Sequence, residues 1–545
     1  MLKKGGGKML DLIIYNGVIR TLDSTNSVHE AIGIKDGRIV KIGKNEEIEK
    51  LQAKNKININ KKLVLPGFVD THLHALDYAE MKGFVDLREI ESIEKVIEKA
   101  KKHYEIKGLY QGWLIGWGWN QNSFKDGHDF IYKEDLDKIS KDYPIIFTRA
   151  CVHAAVVNSK ALELILETEE AKKLSEHIDK EKGILKESSL TIYRKLLEKP
   201  QIEDIKQMIL MVHEDFLKEG ITQVHTADFF SAVPEEQWEK VIKAYEELDK
   251  EEKLNVRTYE QCMFFNYKNF EDFLNKGYKT TKGTQFFKIG PLKLISDGSL
   301  GARTALMKEP YTDDKTTVGI QTLSTDEIKK FIKKAKENDM QLAIHCIGDA
   351  AIDNVADLLN DANKTNLSNP MRDGIVHVQI TNDEIFEKMK KGNITAYIQP
   401  VFIEEDMKIA EIRLGEKRIS TSYAWKTMLD KGILTTGGSD APVASFNVLE
   451  NIYYAVTRKN KEGNPSNGWL SKEKITVDQA VKIFTKNSSY QSFEEDVKGT
   501  LEVNKYADLV ILEKDIYSIP EDEIKNVKVE YTIVNGKIVY NKIEN

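Results

Sequence analysis

Two rhythms of apolar residues alternate along the chain. Short runs such as ITQVHTAD (221–228), GPLKLISDG (290–298) and MQLAIHCIGD (340–349) are largely apolar and end in polar residues, the pattern of strands covered on both faces. Between them lie longer segments such as IESIEKVIEKAKKHYEIKG, whose interleaved charges predict amphipathic helices with a solvated face. The strand-like runs, in order, are LVLPGFVDTHLH, ITQVHTAD, LNVRTYEQCMF, GPLKLISDG, MQLAIHCIGD, DGIVHVQI, ITAYIQPVF and GILTTGGSD. Strands alternating with helices predict βα units and a parallel sheet. Eight such units predict an α/β fold of the (β/α)8 TIM-like barrel type, with its active site at the C-terminal strand ends.

The chain ends follow another pattern. LIIYNGVIRTLD and EAIGIKDGRIVKIGK are β-rich runs around Asn16-Gly17 and Asp36-Gly37, and VEYTIVNGKIVY repeats this around Asn535-Gly536. Such dipeptides favour tight hairpin turns. Residues 1–63 and 490–545 are therefore expected to build one small discontinuous β-sandwich flanking a barrel over 64–489. Residues 76–215, between the first two barrel strands, are too many for a structureless loop. They predict an inserted subdomain over the barrel mouth.

Composition narrows the function classes. A chain of 545 residues exceeds one small core, and 41% hydrophobic with 31% charged residues is ordinary for a soluble protein. The net charge of −7 offers no basic face for nucleic acid, so the expected partner is a small-molecule substrate. No stretch reaches the length of a membrane span, and the basic opening lacks the apolar core of a secretory signal. Cys151, Cys262 and Cys346 are widely spaced and suggest no disulfide framework, so a cytoplasmic location is expected.

The chemistry concentrates at strand ends. In GFVDTHLH, residues two apart share a strand face, so His72 and His74 stand side by side with Asp70. Such polar groups are unfavourable to bury unless something binds them, and neutral imidazole is a good zinc ligand. His345, His377 and Asp440 likewise terminate apolar runs. Lys293 lies within one; burial favours its neutral, nucleophilic amine, which carbon dioxide converts to an anionic carbamate. His225 also ends a strand, though a satisfied core position is the simpler reading. His29, His103, His128, His177 and His213 have no ligand-like context, and no GxGxxG fingerprint indicates a dinucleotide.

GFVDTHLH, KLISDGSLGARTA, AIHCIGDAAID, IVHVQI and GGSDAPV, in this order, resemble the amidohydrolase superfamily. More narrowly, they resemble its amidohydrolase-3 branch of YtcJ-like metal-dependent hydrolases, which includes N-substituted formamide deformylases. The resemblance implies that His72, His74 and Asp440 hold a buried metal. Lys293, if carbamylated, would bridge to a second held by His345 and His377, giving one or two divalent ions, zinc being expected. It implies hydrolysis of a non-peptide carbon–nitrogen bond, an amide or N-substituted formamide. Metal-activated hydroxide would attack, with Asp440 as general base and then acid. Deamination on the same scaffold is the alternative, and a non-catalytic binding descendant the more distant one. Relatives suggest a homodimer. Candidate substrate contacts are His153, Arg303, Asp297 (or a turn-fixing role), Trp119 with Trp117 (or core packing of the insert, the preferred reading for Trp113), and Arg418 with Asp406 and Tyr423 (or helical surface pairing). Where many relatives have Asp-Gly-His this chain has Cys151-Val152-His153, a departure at the position of substrate contact.

Overall fold

The computed structural model describes residues 9–150, 153–364 and 369–542; Cys151 and Val152 lie outside the described residues. Eight strands pair in parallel and in chain order: β1 Phe68–Leu73, β2 Ile221–Thr226, β3 Arg257–Met263, β4 Phe287–Ile295, β5 Leu342–Cys346, β6 Gly374–His377, β7 Thr395–Ile398 and β8 Thr435–Gly437. They are almost wholly buried, which is why their sequences run apolar instead of alternating. The seam between β8 and β1 is drawn together by the Thr71 hydroxyl, which donates to the Gly437 carbonyl at 2.9 Å. Beyond it, Asp440 N donates to His72 O and His74 N to Ala441 O, both at 2.7 Å. Gly438 permits this approach: a Cβ there would lie 2.7 Å from His72 N.

The run LVLPGFVDTHLH is two strands, not one. Leu63–Pro66 belongs to the terminal sheets and Phe68–Leu73 to the barrel. Gly67 separates them, where a Cβ would come within 2.3 Å of the Thr222 side chain. The terminal sheets form a sandwich. One contains only N-terminal strands: Leu10–Tyr15, Ala31–Lys35, Arg38–Gly43 and Ala53–Asn58. The other joins Val18–Arg20, Val28–His29 and Leu63–Pro66 to Leu509–Leu512, Val529–Val534 and Lys537–Asn541. Ile14, Ile34, Leu509 and Ile533 meet in the core.

Asp36-Gly37 and Asn535-Gly536 adopt positive φ at both residues and close hairpins as expected. Asn16-Gly17 does not: its flanking strands lie in different sheets, so the dipeptide carries the chain across the sandwich.

The chain forms two compact units, Met1–Ala75 with Ile209–Asn545, and Leu76–Met208. The second ends inside helix Ile202–Lys218, short of the expected residue 215. Its six-stranded mixed sheet includes Leu114–Trp119, Ile145–Arg149 and Ala154–Val157. Period-two alternation sends Leu114 and Phe147 into one core cluster and Ile115 and Ile146 into another. Among the described residues, no helix is long and apolar enough to cross a membrane.

Candidate active site

Six of the predicted side chains meet at the C-terminal end of the barrel. β1 presents His72 and, just past its end, His74; β4 presents Lys293, β5 His345, β6 His377, and the segment after β8 Asp440. The imidazole centroids of His72 lie 5.3 Å from His74 and 5.6 Å from His377, and His377 lies 4.4 Å from His345. Asp440 Oδ1 is 3.3 Å from His72 Nε2 and 3.2 Å from His74 Nε2. Lys293 Nζ stands 3.0 Å from the same His72 nitrogen. His377 and Asp440 both have left-handed backbone, φ 82° and 60°, a conformation held against its intrinsic cost by the surrounding structure.

The partners of the other ring nitrogens assign the tautomers. His72 Nδ1 donates to Gln261 Oε1 at 2.7 Å, and Gln261 Nε2 is itself tied to Thr71 O at 2.9 Å. His74 Nδ1 donates to Ala227 O at 3.1 Å, and His377 Nδ1 to Gln399 Oε1 at 2.8 Å. With Nδ1 protonated, neutral His72 and His74 turn Nε2 lone pairs toward a carboxylate oxygen. His345 is reversed: Nε2 donates to Gly298 O at 3.1 Å, leaving Nδ1 as the lone-pair atom.

Electrostatics keep these groups in ligand form. Burial, then the Lys293 charge, pushes His72 down to about 4 and His345 to about 3; burial, then His345, takes His377 well below its usual value. For Asp440 burial works the other way, and the carboxyl is held well below its usual range by His72 and His74 when these rings carry a proton on Nε2 to donate to it. Burial lowers Lys293 to about 8. Three acceptor atoms, from His72, His74 and Asp440, lie within 4.8 Å of one another. Neutral nitrogens and an ionised oxygen converging at that spacing fit a divalent cation.

Other predicted residues have different surroundings. Asp297 fixes turns: its carboxylate accepts the backbone N–H of Leu306, Ile347 and Gly348 at 2.8–3.0 Å, while burial pushes it up to about 7. The Arg418 guanidinium braces neighbouring segments, donating to the carbonyls of Leu414, Glu309 and Pro310 and to Thr312 Oγ1. Trp119 is fully buried in the core of the second unit, and its indole N–H donates to Phe147 O at 3.0 Å. Trp113 is core as well. Arg303 pairs with Asp313 at 2.7 Å, and exposed His153 with Glu187 at 3.0 Å within the second unit. Asp406 accepts from Gln379 and Tyr423, both at 2.9 Å.

Sequence reasoning missed Gln261 and Gln399, whose only signal is an amide side chain near the end of an apolar strand. It also missed the ordering role of Asp70, whose Oδ1 accepts the backbone N–H of His72 and Ser439, each at 3.1 Å.

An eight-stranded parallel barrel with this donor set at its C-terminal end is the framework of a metal-dependent hydrolase. The chain belongs to the amidohydrolase family, whose sequence model matches residues 57–540. It is 30% identical to YtcJ of Bacillus subtilis over 97% of this chain and 99% of that protein. It is 23% identical to the N-substituted formamide deformylase of Arthrobacter pascens, over 98% and 99% respectively. The solved structure of a metal-dependent hydrolase from Pyrococcus furiosus superposes with a TM-score of 0.78 at 28% identity, covering 93% of this chain and 100% of that one.

Proposed function

We propose that this hydrolase cleaves a non-peptide carbon–nitrogen bond, that of an amide or N-substituted formamide. His72, His74 and Asp440 would hold a divalent cation, zinc being the best match to two imidazoles and a carboxylate. Lys293, His345 and His377 would complete a second position once Lys293 is a carbamate. Its amine, lowered to about 8, has enough neutral form near neutral pH to attack carbon dioxide and release a proton. The bound cation supplies Lewis acidity and lowers the pKa of water to about 7. Asp440, ionised and beside both β1 imidazoles, takes the proton of the attacking water and returns it to the leaving nitrogen. Gln261 and Gln399 would keep His72 and His377 in the tautomer that leaves Nε2 unprotonated.

The reading is carried by two imidazole lone pairs and a carboxylate oxygen packed at 3.2–3.3 Å, an arrangement of acceptors that calls for a cation. The name of the Arthrobacter pascens relative, over nearly the full length, supports the bond type. The test is zinc-reloaded protein against formamides, other amides and aminated heterocycles, with acid and amine measured separately. Equal release of carboxylate or formate and amine, lost on chelation and in Asp440→Asn, is expected. Ammonia from a ring amine without an acid product would place the chain among deaminases, and no turnover of any amide would overturn the proposal.

A further inference from the structure

Beside the cluster of imidazoles, a cavity of about 670 Å³ opens between the segments following β2 and β3. Its walls include Phe230, Phe265, Tyr267 and Phe331. Phe230 borders both places: its ring centroid lies 5.5 Å from that of His74 and 6.1 Å from that of Phe265. These two phenylalanines are 40% and 43% exposed, whereas neighbouring Phe229 and Phe264 are buried. Large aromatic faces left uncovered at the C-terminal end of such a barrel are suited to a ligand.

The wall is built in advance. The Glu235 carboxylate, in the segment after β2, accepts the backbone N–H of Phe265 and of Asn266 and the Asn269 amide. This clamps the Phe265 segment to the one that carries Phe230. The charged rim is largely committed as well: Lys330 Nζ lies 3.5 Å from the Tyr267 ring centroid, and Glu327 caps its own helix through Ser324. Three carboxylates line the cavity against one lysine, a field that repels an anionic substituent.

Direction follows from Asp440. His74 shares Asp440 Oδ1 at 3.2 Å, and Phe230 packs on His74. Phe230 therefore joins the cavity wall to the imidazole that faces Asp440, the residue from which the proposed mechanism returns a proton to nitrogen. We propose that the substrate is an amide whose nitrogen carries a neutral planar aromatic group, which runs along Phe230 and seats against Phe265. This rests on the amide-hydrolase reading above and adds its leaving group, an uncharged aryl amine.

The test compares kcat/KM for an N-phenyl amide, its N-methyl counterpart and its N-(4-carboxyphenyl) counterpart on zinc-loaded enzyme, alongside calorimetric binding of aniline. Phe265→Ala is expected to lower the phenyl-to-methyl preference about tenfold and to weaken aniline binding by a similar factor. The carboxyphenyl amide should be at least tenfold poorer than the phenyl amide in the wild type. Phe265→Leu, which keeps more of the packing but lacks the arene, should show the same loss and so separates recognition from a folding defect. If amides turn over but neither preference nor aniline affinity changes in the two variants, the aromatic site is overturned while the hydrolase reading stands. If no amide turns over yet aniline binds with the expected dependence on Phe265, the site stands and the hydrolase reading fails.

Discussion

At the N-terminal ends of the barrel strands, Arg257 sets Nε and Nη2 on the two oxygens of Asp508 at 2.7 and 3.0 Å. Nearby, Glu494 receives Lys288 and Gln223, both at 2.7 Å, and Ser492 at 3.0 Å. Donor meets acceptor there and opposite charges are matched. At the C-terminal ends acceptors crowd together: four imidazoles are in ring contact and a carboxylate faces the Nε2 atoms of two of them, with the Lys293 amine the one side-chain donor to His72 Nε2 among these groups. Both ends bury polar groups at a desolvation cost. Polarity that closes on itself serves the fold, whereas acceptor atoms that converge on one another suit a cation.

The sharpest way to break this contrast is Asp440→Asn, expected to lower amide hydrolysis by about 10²–10⁴-fold while the thermal melt shows a folded protein. At the other end Asp508→Asn strands the buried Arg257 charge and should destabilise the chain by about 3–5 kcal/mol. Activity per folded molecule should remain, as read by denaturant titration beside the amide assay. A double replacement, Arg257→Met with Asp508→Leu, should recover much of that loss, since removing both charges avoids the stranded one. Gln261→Leu frees the His72 tautomer and should weaken zinc binding by about 10–100-fold in a competition titration, with little change in melting of the metal-free protein.

His225 lies between the two ends and sharpens the comparison in a smaller way. It is fully buried on β2, and neither ring nitrogen has a hydrogen-bond partner. Burial, then Lys498, brings it from 6.5 to about 3. The unfolded chain therefore takes up the proton first, so stability present above pH 6.5 is lost as pH falls toward 3. At pH 5 this site should account for about 2 kcal/mol of the loss relative to pH 8. Denaturation of His225→Leu at both pH values should show a correspondingly flatter dependence.

Much of the barrel was legible because fully buried strands leave unbroken apolar runs, and the candidate ligands were legible because each run ends abruptly in His or Asp. Lys293 stood out as a charge inside such a run. The residues that orient the ligands were not: Gln261 and Gln399 read as ordinary strand polar residues, and only the folded distances show what they hold. The same limit applies to Arg418 and Trp119. Side chains of those types serve ligands and frameworks alike, and the carbonyls they bond to, such as Phe147 O and Glu309 O, cannot be read from local sequence. Where Leu63–Pro66 ends and Phe68–Leu73 begins is set by the approach of Thr222 to Gly67, a tertiary contact that leaves no periodicity behind.

Anomalous diffraction at the zinc edge, on crystals of metal-replete protein, addresses the converging donors most directly. A peak bonded to His72 Nε2, His74 Nε2 and Asp440 is predicted, with a second toward His345 and His377 where density on Lys293 extends to a carbamate. No peak in that cluster under zinc-replete conditions, with the Lys293 amine still resting on His72, would contradict it.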